Sequence, residues 1–294
     1  MPKPIIRKLG TIDCDMVETT PVVFRGRLYR FEYVRPNYHG NPTGESYFRF
    51  VDVESGEMTP PSARGYHLGS AHVRDDVVYV YGVERWGGSE VRVFWSEDLE
   101  TWSSRTALEL PGWGLYNTSV CKGPDRFVMA LEVGEPPEVV GVRFTIYFAE
   151  SQDLLDWKVV PGCVFSKDRY TACPVVRFSK GYYYMIYLEA KPGPLYEPHI
   201  VRSRDLAGWE DSPLNPVMSP SPEDKLVADP RLTPEQRKRL ERAVNVNNSD
   251  VDLCEFGGKV VIYYSWGDQL GTEHLAQAVY EGTLEKFFEG FFPT

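Results

Sequence analysis

Two acidic stretches of the sequence carry the residues best suited to acid–base chemistry. One is Asn245–Asp252 and the other is Asp13–Thr20. Each stretch stands just before a pair of strand-like segments, and aligning the turns of those two pairs places Glu18 opposite Asp250. Carboxylates that converge in one pocket raise one another's pKa, so that one acts as an acid while its neighbour remains a base. The alignment therefore predicts acid–base catalysis by two carboxyl groups.

A phrase that occurs three times indicates which elements hold these stretches in place. The segments Ser96–Trp102, Ser151–Trp157 and Ser203–Trp209 each read Ser-x-Asp-Leu-x-x-Trp, and their serines lie 55 and 52 residues apart. A period close to fifty residues is typical of propellers and repeat arrays. Each phrase follows a β-rich run, so we expect its aspartate to accept backbone N–H bonds in a turn. Its leucine and tryptophan are suited to packing between neighbouring sheets.

Five hairpins of β-branched and aromatic residues complete the pattern, with turns at Arg25-Gly26, Asp75-Asp76, Gly123-Pro124-Asp125, Ser179-Lys180-Gly181 and Gly257-Gly258. They predict an all-β fold, a five-bladed β-propeller that residues 1–294 form as a single domain. We expect the terminal strands, Ile5–Leu9 and Leu275–Tyr280, to close the ring. Residues 219–245 break the β pattern, and the capping box Thr233–Gln236 predicts a short helical insertion between blades 4 and 5. That insertion is either a surface decoration or a lid.

The propeller geometry brings the polar strand ends together. The first strand of every blade lines the axis and the second strand returns to the same mouth, so all five blades contribute side chains there. Four of the second strands end on a glutamate, namely Glu32, Glu84, Glu132 and Glu189, and the fifth ends near Trp266. Acidic side chains at one repeated position predict an acidic pocket rather than a solvated rim.

Composition and charge exclude several classes of partner. The net charge of −10 argues against nucleic acid or an anionic membrane as the main partner. No apolar run approaches the length of a membrane span, and no secretory leader is recognisable after Met1. The five cysteines lack metal-ligand spacing and favour reduced thiols, so we expect a cytoplasmic protein.

These features resemble the five-bladed propeller glycoside hydrolases, which include families 43, 32, 68, 117 and 130. The resemblance rests on the three phrases, the hairpin spacing, the carboxylates before blade 1 and strings such as Gly181–Tyr187. In family 43 an aspartate opens blade 1, another opens blade 3 and a glutamate opens blade 4. Here blade 3 begins Tyr116–Thr118 and blade 4 begins Tyr170–Ala172. The resemblance is thus to a divergent branch whose second carboxylate has moved to Asp250 or Asp252.

The resemblance implies glycoside cleavage by two carboxyl groups that flank the scissile bond. We hypothesise that Asp15 and Glu18 lie on one side of that bond and Asp250 on the other. The substrate-binding candidates are Arg35, His72, Glu132, Glu189, Asp252 and Trp266. His72 is either an alternative proton donor or a buried strand histidine that donates to a backbone carbonyl. Arg35 forms either an ion pair with Glu18 or Glu32, or a substrate clamp.

Three other functions stay open at this point. A phosphorylase like family 130 would use inorganic phosphate as the nucleophile, with Arg35, Arg85 and His72 as the basic residues nearby. A carbohydrate-binding propeller without catalysis would explain the missing acid of blade 4, and a protein-interaction propeller would not need an acidic funnel. The expected partner is a short imported oligosaccharide or a small glycoside. No cofactor is required, and the resemblance allows a structural cation on the propeller axis.

Overall fold

The computed structural model describes residues 3–35, 45–193 and 195–293. These residues form five antiparallel sheets, or blades, whose innermost strands contact one another in a ring. From the innermost strand outwards, blade 1 contains β2 (Thr19–Phe24), β3 (Arg27–Val34) and β4 (Tyr47–Asp52), and blade 2 contains β5 (His67–Arg74), β6 (Val77–Val83), β7 (Glu90–Ser96) and β8 (Ser103–Glu109). Blade 3 contains β9 (Gly114–Lys122), β10 (Phe127–Glu135), β11 (Thr145–Ser151) and β12 (Lys158–Phe165), and blade 4 contains β13 (Thr171–Ser179), β14 (Tyr182–Lys191), β15 (Leu195–Ser203) and β16 (Trp209–Asp211). Blade 5 contains β17 (Asn247–Phe256), β18 (Lys259–Gly267), β19 (Glu273–Tyr280) and β1 (Arg7–Cys14). The predicted five-bladed β-propeller is confirmed.

The two ends of the chain close the ring in blade 5. Strand β1 pairs antiparallel with β19, from Arg7 opposite Val279 to Cys14 opposite His274. The pairing of terminal strands is therefore confirmed, and it extends further along β1 than the sequence indicated. Closing the ring in this way covers the edge of β19, which would otherwise present unpaired N–H and C=O groups.

The repeated phrase forms a turn that is held by its own side chains. In the second copy, Ser151 Oγ accepts a hydrogen bond from the backbone of Leu154 at 3.0 Å. Asp153 Oδ1 accepts two more, from Leu155 at 2.8 Å and Asp156 at 2.9 Å. The leucine is fully buried and has a φ of 69°. The same contacts recur in the other two copies, so the phrase is a structural element of each blade.

The tryptophans of the phrases join neighbouring blades. Trp157 is 7% exposed and packs edge-on against Tyr81 of blade 2. Trp102 stacks on Phe50 of blade 1, and Trp209 stacks on Phe148 of blade 3. Each ring thus covers the preceding blade, as predicted.

Removing one of these rings is expected to destabilise the whole propeller. Trp157→Ala should lower the free energy of unfolding by about 3–5 kcal/mol, because it leaves a cavity between two sheets. Urea denaturation followed by circular dichroism measures this change. Trp86→Ala is the matched control, since the Trp86 side chain is 46% exposed. Equal losses in the two variants would show that Trp157 does not hold the blades together.

The helical insertion lies between blades 4 and 5, as predicted. It contains a 3-10 helix, Pro222–Lys225, and a longer α-helix, Pro234–Arg242, which Thr233 caps through the predicted box. The buried Asp224 anchors the insertion, because its carboxylate pairs with Lys8 Nζ at 2.7 Å and accepts a bond from Tyr264 at 2.7 Å. We call the long helix α2, since a short helix, α1 (Pro137–Val140), precedes it and α3 (Leu284–Gly290) follows it. In the part of the chain that the structure describes, none of the helices is long and apolar enough to cross a membrane.

Candidate active site

The first strands of the blades share one irregular position at the propeller axis. This position lies six residues before the last residue of the first strand. It is occupied by Glu18 in blade 1, Leu68 in blade 2, Cys173 in blade 4 and Asp250 in blade 5. In blades 2, 4 and 5 this residue has a left-handed backbone, with φ of 52°, 49° and 48°, and the pairing with the second strand shifts register there. In blade 3 the shift falls around Asn117. Bulges of this kind turn a side chain away from the regular alternation of the strand.

A pocket opens on the axis at this level, and we call it the axial pocket. All five blades line it, with Glu18, Thr19, Thr20, Gly69, Ser70, Asn117, Thr118, Cys173, Pro174, Val175, Asp250, Val251 and Asp252. The structure therefore brings together three of the residues that the sequence singled out, namely Glu18, Asp250 and Asp252.

Glu18 stands on the blade 1 side of the axial pocket beside a guanidinium group. Arg35 Nη2 donates to Glu18 Oε2 at 3.0 Å, so the predicted ion pair is present. The same guanidinium lies 5.0 Å from the ring of Tyr33 and 5.9 Å from that of Trp86. Burial raises the pKa of Glu18, the charge of Arg35 opposes the rise, and the charge of Asp250 adds to it. The net effect favours a protonated carboxyl group on Glu18.

Asp250 faces Glu18 from blade 5 and receives a hydroxyl hydrogen bond. Ser265 Oγ donates to Asp250 Oδ2 at 2.9 Å, and Ser249 Oγ lies 2.8 Å from Ser265 Oγ. Asp250 thus stands opposite Glu18 with one of its carboxylate oxygens held by a hydroxyl group.

Glu132 lies behind the wall of the axial pocket, between blades 3 and 4. Its Oε2 accepts hydrogen bonds from the backbone of Cys173 at 2.6 Å and from Asn117 Nδ2 at 3.1 Å. Burial raises its pKa to about 7, against the effect of these two donors, and the charges of Asp250 and Glu18 contribute to the rise. Glu132 therefore changes its charge near neutral pH.

Glu273 is a fourth acidic group near the axial pocket, and it was not among the residues predicted from the sequence. It is 2% exposed; its Oε1 accepts a bond from the backbone of Gln269 at 2.8 Å, while Oε2 has no partner among the described residues. Burial raises its pKa to about 8, and the charge of Asp250 contributes to the rise. The signal in the sequence is a glutamate that opens an otherwise buried strand, Glu273–Tyr280.

Glu273 is expected to make stability depend on pH. Its folded pKa of about 8 lies above its ordinary value of 4.5, so the folded state holds the proton more tightly than the unfolded state. The resulting stabilisation is complete below pH 4.5 and is lost as the pH rises through 8. Glu273→Gln cannot titrate, so its melting temperature should fall less than that of the wild type across this window. Differential scanning fluorimetry measures both curves, and parallel curves would contradict the assignment.

The structure places Asp15 and Glu189 outside the axial pocket. Arg239 of α2 binds Asp15 with two hydrogen bonds, of 2.6 Å and 2.8 Å. Glu189 pairs with Arg169 at 3.1 Å. Neither carboxylate lines the pocket, and each of them is engaged by a partly exposed arginine. The insertion thus contacts the acidic stretch before blade 1, although α2 itself does not line the pocket.

The structure also locates three further candidates, namely His72, Asp252 and Trp266. His72 is a half-buried strand residue that lines a different cavity, formed by the far halves of the first strands, and burial lowers its pKa to about 4. It lies outside the axial pocket, so the structure favours the strand histidine among the two alternatives. Asp252 reaches the axial pocket but pairs with Arg177. Trp266 is a correction: it is fully buried, and its Nε1 donates to Thr11 Oγ1 at 2.9 Å, so it offers no ring face to a sugar.

The axis is a poor cation site. Arg177 already neutralises Asp252, and among residues 3–35, 45–193 and 195–293 no group of three or more His, Cys, Asp or Glu side chains is arranged to hold a metal ion. The donor set does not fit the cation that the resemblance allows, and we derive no step through one.

Comparison with known proteins identifies the fold. No protein-family model matches the sequence, and no curated protein matches it significantly. Among solved structures, a thermostable family-43 glycoside hydrolase has a TM-score of 0.65 at 14% identity, covering 92% of this chain and 90% of that one. A glycosyl hydrolase from Bacteroides ovatus has a TM-score of 0.61 at 13% identity, covering 91% and 84% of the two chains. This chain has the fold of propeller glycoside hydrolases.

A third structure shows how far sequences diverge on this fold. The α-L-arabinofuranosidase PaAbf62A from Podospora anserina, in complex with cellotriose, has a TM-score of 0.62 at 8% identity, covering 96% of this chain and 99% of that one. The predicted resemblance to five-bladed propeller glycoside hydrolases is confirmed for the fold. Since a fold does not determine an activity, the function depends on the residues of the axial pocket.

Proposed function

We propose that this protein is a glycosidase that hydrolyses short oligosaccharides or small glycosides, with Glu18 and Asp250 as its catalytic pair. The observation that carries the proposal is that these carboxylates, from blades 1 and 5, line one pocket on the axis and interact electrostatically. Both inverting and retaining glycosidases use two carboxyl groups across the scissile bond. The glycoside hydrolases among the structural neighbours support the assignment.

The surroundings of the two groups suggest their roles. Glu18 is the proton donor, since burial and the charge of Asp250 favour its protonated form. The contact with Arg35 involves Oε2, so we assign the proton to Oε1. Asp250 is the base or nucleophile, because it lines the axial pocket with Glu18 and Ser265 holds its carboxylate in place.

The proposed reaction transfers one proton from Glu18 to the leaving group and one proton from water to the enzyme. Glu18 transfers its proton to the glycosidic oxygen as the bond between that oxygen and the anomeric carbon breaks. In an inverting reaction, water attacks the anomeric carbon from the opposite face and gives its proton to Asp250. In a retaining reaction, Asp250 attacks, and a water molecule deprotonated by Glu18 later releases the sugar. A separation of about 5–5.5 Å between the carboxyl groups gives retention and about 6.5–9.5 Å gives inversion.

Glu132 tunes this pair. Its carboxyl group is held by Asn117 and Cys173, which both line the axial pocket. As the pH rises through about 7, Glu132 becomes negatively charged, and the added charge favours the protonated form of Glu18. We further propose that the protein acts in the cytoplasm, where a short imported saccharide is available to it.

A binding function without catalysis is the second candidate. It is favoured by blade 4, which presents Cys173, and no carboxylate, to the axial pocket. The two functions differ in turnover. A panel of aryl glycosides and short oligosaccharides, incubated with and without phosphate, tests them together with sugar binding by calorimetry. Cleavage without phosphate supports the glycosidase, phosphate-dependent cleavage reassigns the protein as a phosphorylase, and binding without cleavage supports the binding module.

A further inference from the structure

Two buried hydroxyl groups connect Asp250 to the loop that follows β18. Gln269 Nε2, in that loop, donates to Ser249 Oγ at 3.2 Å. Ser249 Oγ lies 2.8 Å from Ser265 Oγ, which donates to Asp250 Oδ2 at 2.9 Å. Both serines are fully buried, whereas Gln269 and Asp250 are half-buried. We call Ser249 and Ser265 the hydroxyl relay.

The bulge of β17 allows the relay to reach Asp250. Successive side chains of a regular strand point to opposite faces, so in a regular strand Ser249 and Asp250 would not both contact Ser265. Ser249 lies opposite Ser265 in the pairing of β17 with β18, and the register shifts between Ser249 and Asp252. Asp250 lies within that shift and has a left-handed backbone, with a φ of 48°. The irregular backbone therefore brings the Asp250 carboxylate to the hydroxyl group that faces its neighbour.

The hydrogen bonds of the relay have one direction. A hydroxyl group has a single proton to donate, and a carboxylate oxygen only accepts. The proton of Ser265 goes to Asp250, so the contact between the two hydroxyl groups must contain the proton of Ser249. Ser249 then has no proton left for Gln269, and its oxygen must accept from the Gln269 amide. Each bond of such a chain polarises the next, and here the chain ends on a carboxylate.

The loop of residues 268–272 fixes the amide at the start of the relay. The backbone N–H of Gln269 donates to Glu273 Oε1 at 2.8 Å, and its φ of 55° is left-handed. Asp268 Oδ1 accepts from the backbone of Leu270 at 2.8 Å and of Thr272 at 3.0 Å. Strained residues persist where the surrounding structure fixes them, and they concentrate at functional sites.

We propose that Gln269 is a positioning residue that fixes the orientation of the Asp250 carboxylate in the axial pocket through the hydroxyl relay. The inference rests on the proposed function, in which Asp250 is the base or nucleophile. Gln269, Ser249 and Ser265 are not among the residues that line the axial pocket. Their effect on a bound glycoside is therefore exerted through Asp250.

Removing the donor at the start of the relay should reduce kcat and leave KM unchanged. Gln269→Met keeps the length of the side chain, and we expect kcat to fall about 3–10-fold, the effect of losing one neutral hydrogen bond. KM should stay at the wild-type value, because the side chain lies outside the pocket. Gln277→Met is the matched control, since Gln277 is also half-buried in blade 5 and lies opposite Tyr263. A lower melting temperature of Gln269→Met with unchanged kcat would show a purely structural role and overturn the inference.

A double-variant cycle separates the relay from independent effects. Ser249→Ala removes the hydroxyl group that Gln269 contacts, and we expect kcat to fall about as far as in Gln269→Met. Since Gln269 acts through Ser249, the variant that carries both changes should have the kcat of Ser249→Ala alone. Losses that multiply in the double variant would show that the two residues act separately and would overturn the inference.

The closing experiment reads the direction of the relay without turnover. Neutron diffraction from crystals of the perdeuterated wild type locates the deuterium atoms of the two hydroxyl groups. The deuterium of Ser249 should point to Ser265 Oγ, and that of Ser265 to Asp250 Oδ2. A deuterium of Ser249 directed at Gln269 would overturn the inference, whether or not a glycoside is cleaved. The expected positions in a protein that cleaves no glycoside would reject the proposed function and leave the relay established.

Discussion

Asp250→Asn is expected to reduce kcat/KM on every cleaved glycoside by at least about 10²–10⁴-fold, the effect of removing a general base. A larger loss is expected if Asp250 is the nucleophile of a retaining enzyme. The amide keeps the shape of the side chain and its contact with Ser265, so the melting temperature should stay close to that of the wild type. Steady-state kinetics and differential scanning fluorimetry measure the two effects.

The controls for this result use a second aspartate and an added nucleophile. Asp156→Asn removes an exposed carboxylate that pairs with Arg105, and turnover should be unchanged. Azide fits the space of a carboxylate nucleophile that has been removed, so it should restore glycosyl transfer to Asp250→Gly only if the enzyme is retaining. Wild-type turnover in Asp250→Asn would contradict the assignment of Asp250.

Glu18→Gln is expected to produce a loss that depends on the leaving group. A general acid matters most when the departing oxygen is basic, so alkyl glycosides and disaccharides should lose about 10²–10⁴-fold in kcat/KM. A dinitrophenyl glycoside, whose leaving group needs no proton, should lose far less. On the basic leaving groups the wild-type rate should fall at high pH as the acid ionises, and the residual activity of the variant should lack that fall.

Asp15→Asn is the matched comparison for Glu18→Gln. The sequence left both carboxylates open as members of the blade 1 side, and they lie three residues apart. Asp15 is engaged by Arg239 outside the axial pocket, so its loss should leave both substrates and the pH profile unchanged. A leaving-group effect in Asp15→Asn and not in Glu18→Gln would exchange their roles.

The sequence predicted the parts of the fold that depend on local contacts. The Ser-x-Asp-Leu-x-x-Trp turns are recognisable because the bonds that hold them, such as Ser151 to Leu154, join residues three apart. Counting back from a hairpin turn also placed Glu18 opposite Asp250, since the two hairpins have equal spacing from turn to axis. Such features need no knowledge of the neighbouring blades.

The roles of the four strand-end glutamates depended on contacts that the sequence does not reveal. Arg49 and Arg30 bind Glu32, and Arg169 binds Glu189. Backbone N–H groups of the following loop bind Glu84. Among the residues that the structure describes, Glu132 is the one of these four glutamates whose carboxyl group is hydrogen-bonded to residues lining the axial pocket. A shared position in the repeat therefore did not imply a shared environment.

The sequence placed Trp266 and Asp15 at the candidate site, and in the structure both lie elsewhere for different reasons. Side chains alternate along β18, so Trp266 shares the face of the buried Tyr264 and Ile262. The opposite face of this strand is buried as well, so a position at the strand end did not imply exposure to the pocket. Asp15 depends on a partner, Arg239, that is 224 residues away in the chain. Only the folded insertion brings that guanidinium to it.

The central claim is that Glu18 and Asp250 cleave a glycosidic bond, and the most direct test is the release of reducing sugar from the glycoside panel. The wild type and Asp250→Asn are compared without phosphate, after differential scanning fluorimetry has shown that their melting temperatures are equal. We expect the wild type to hydrolyse at least one short saccharide or small glycoside and Asp250→Asn to lose this activity. Hydrolysis that is unchanged in Asp250→Asn, or sugar binding by a wild type that releases no sugar, would contradict the claim.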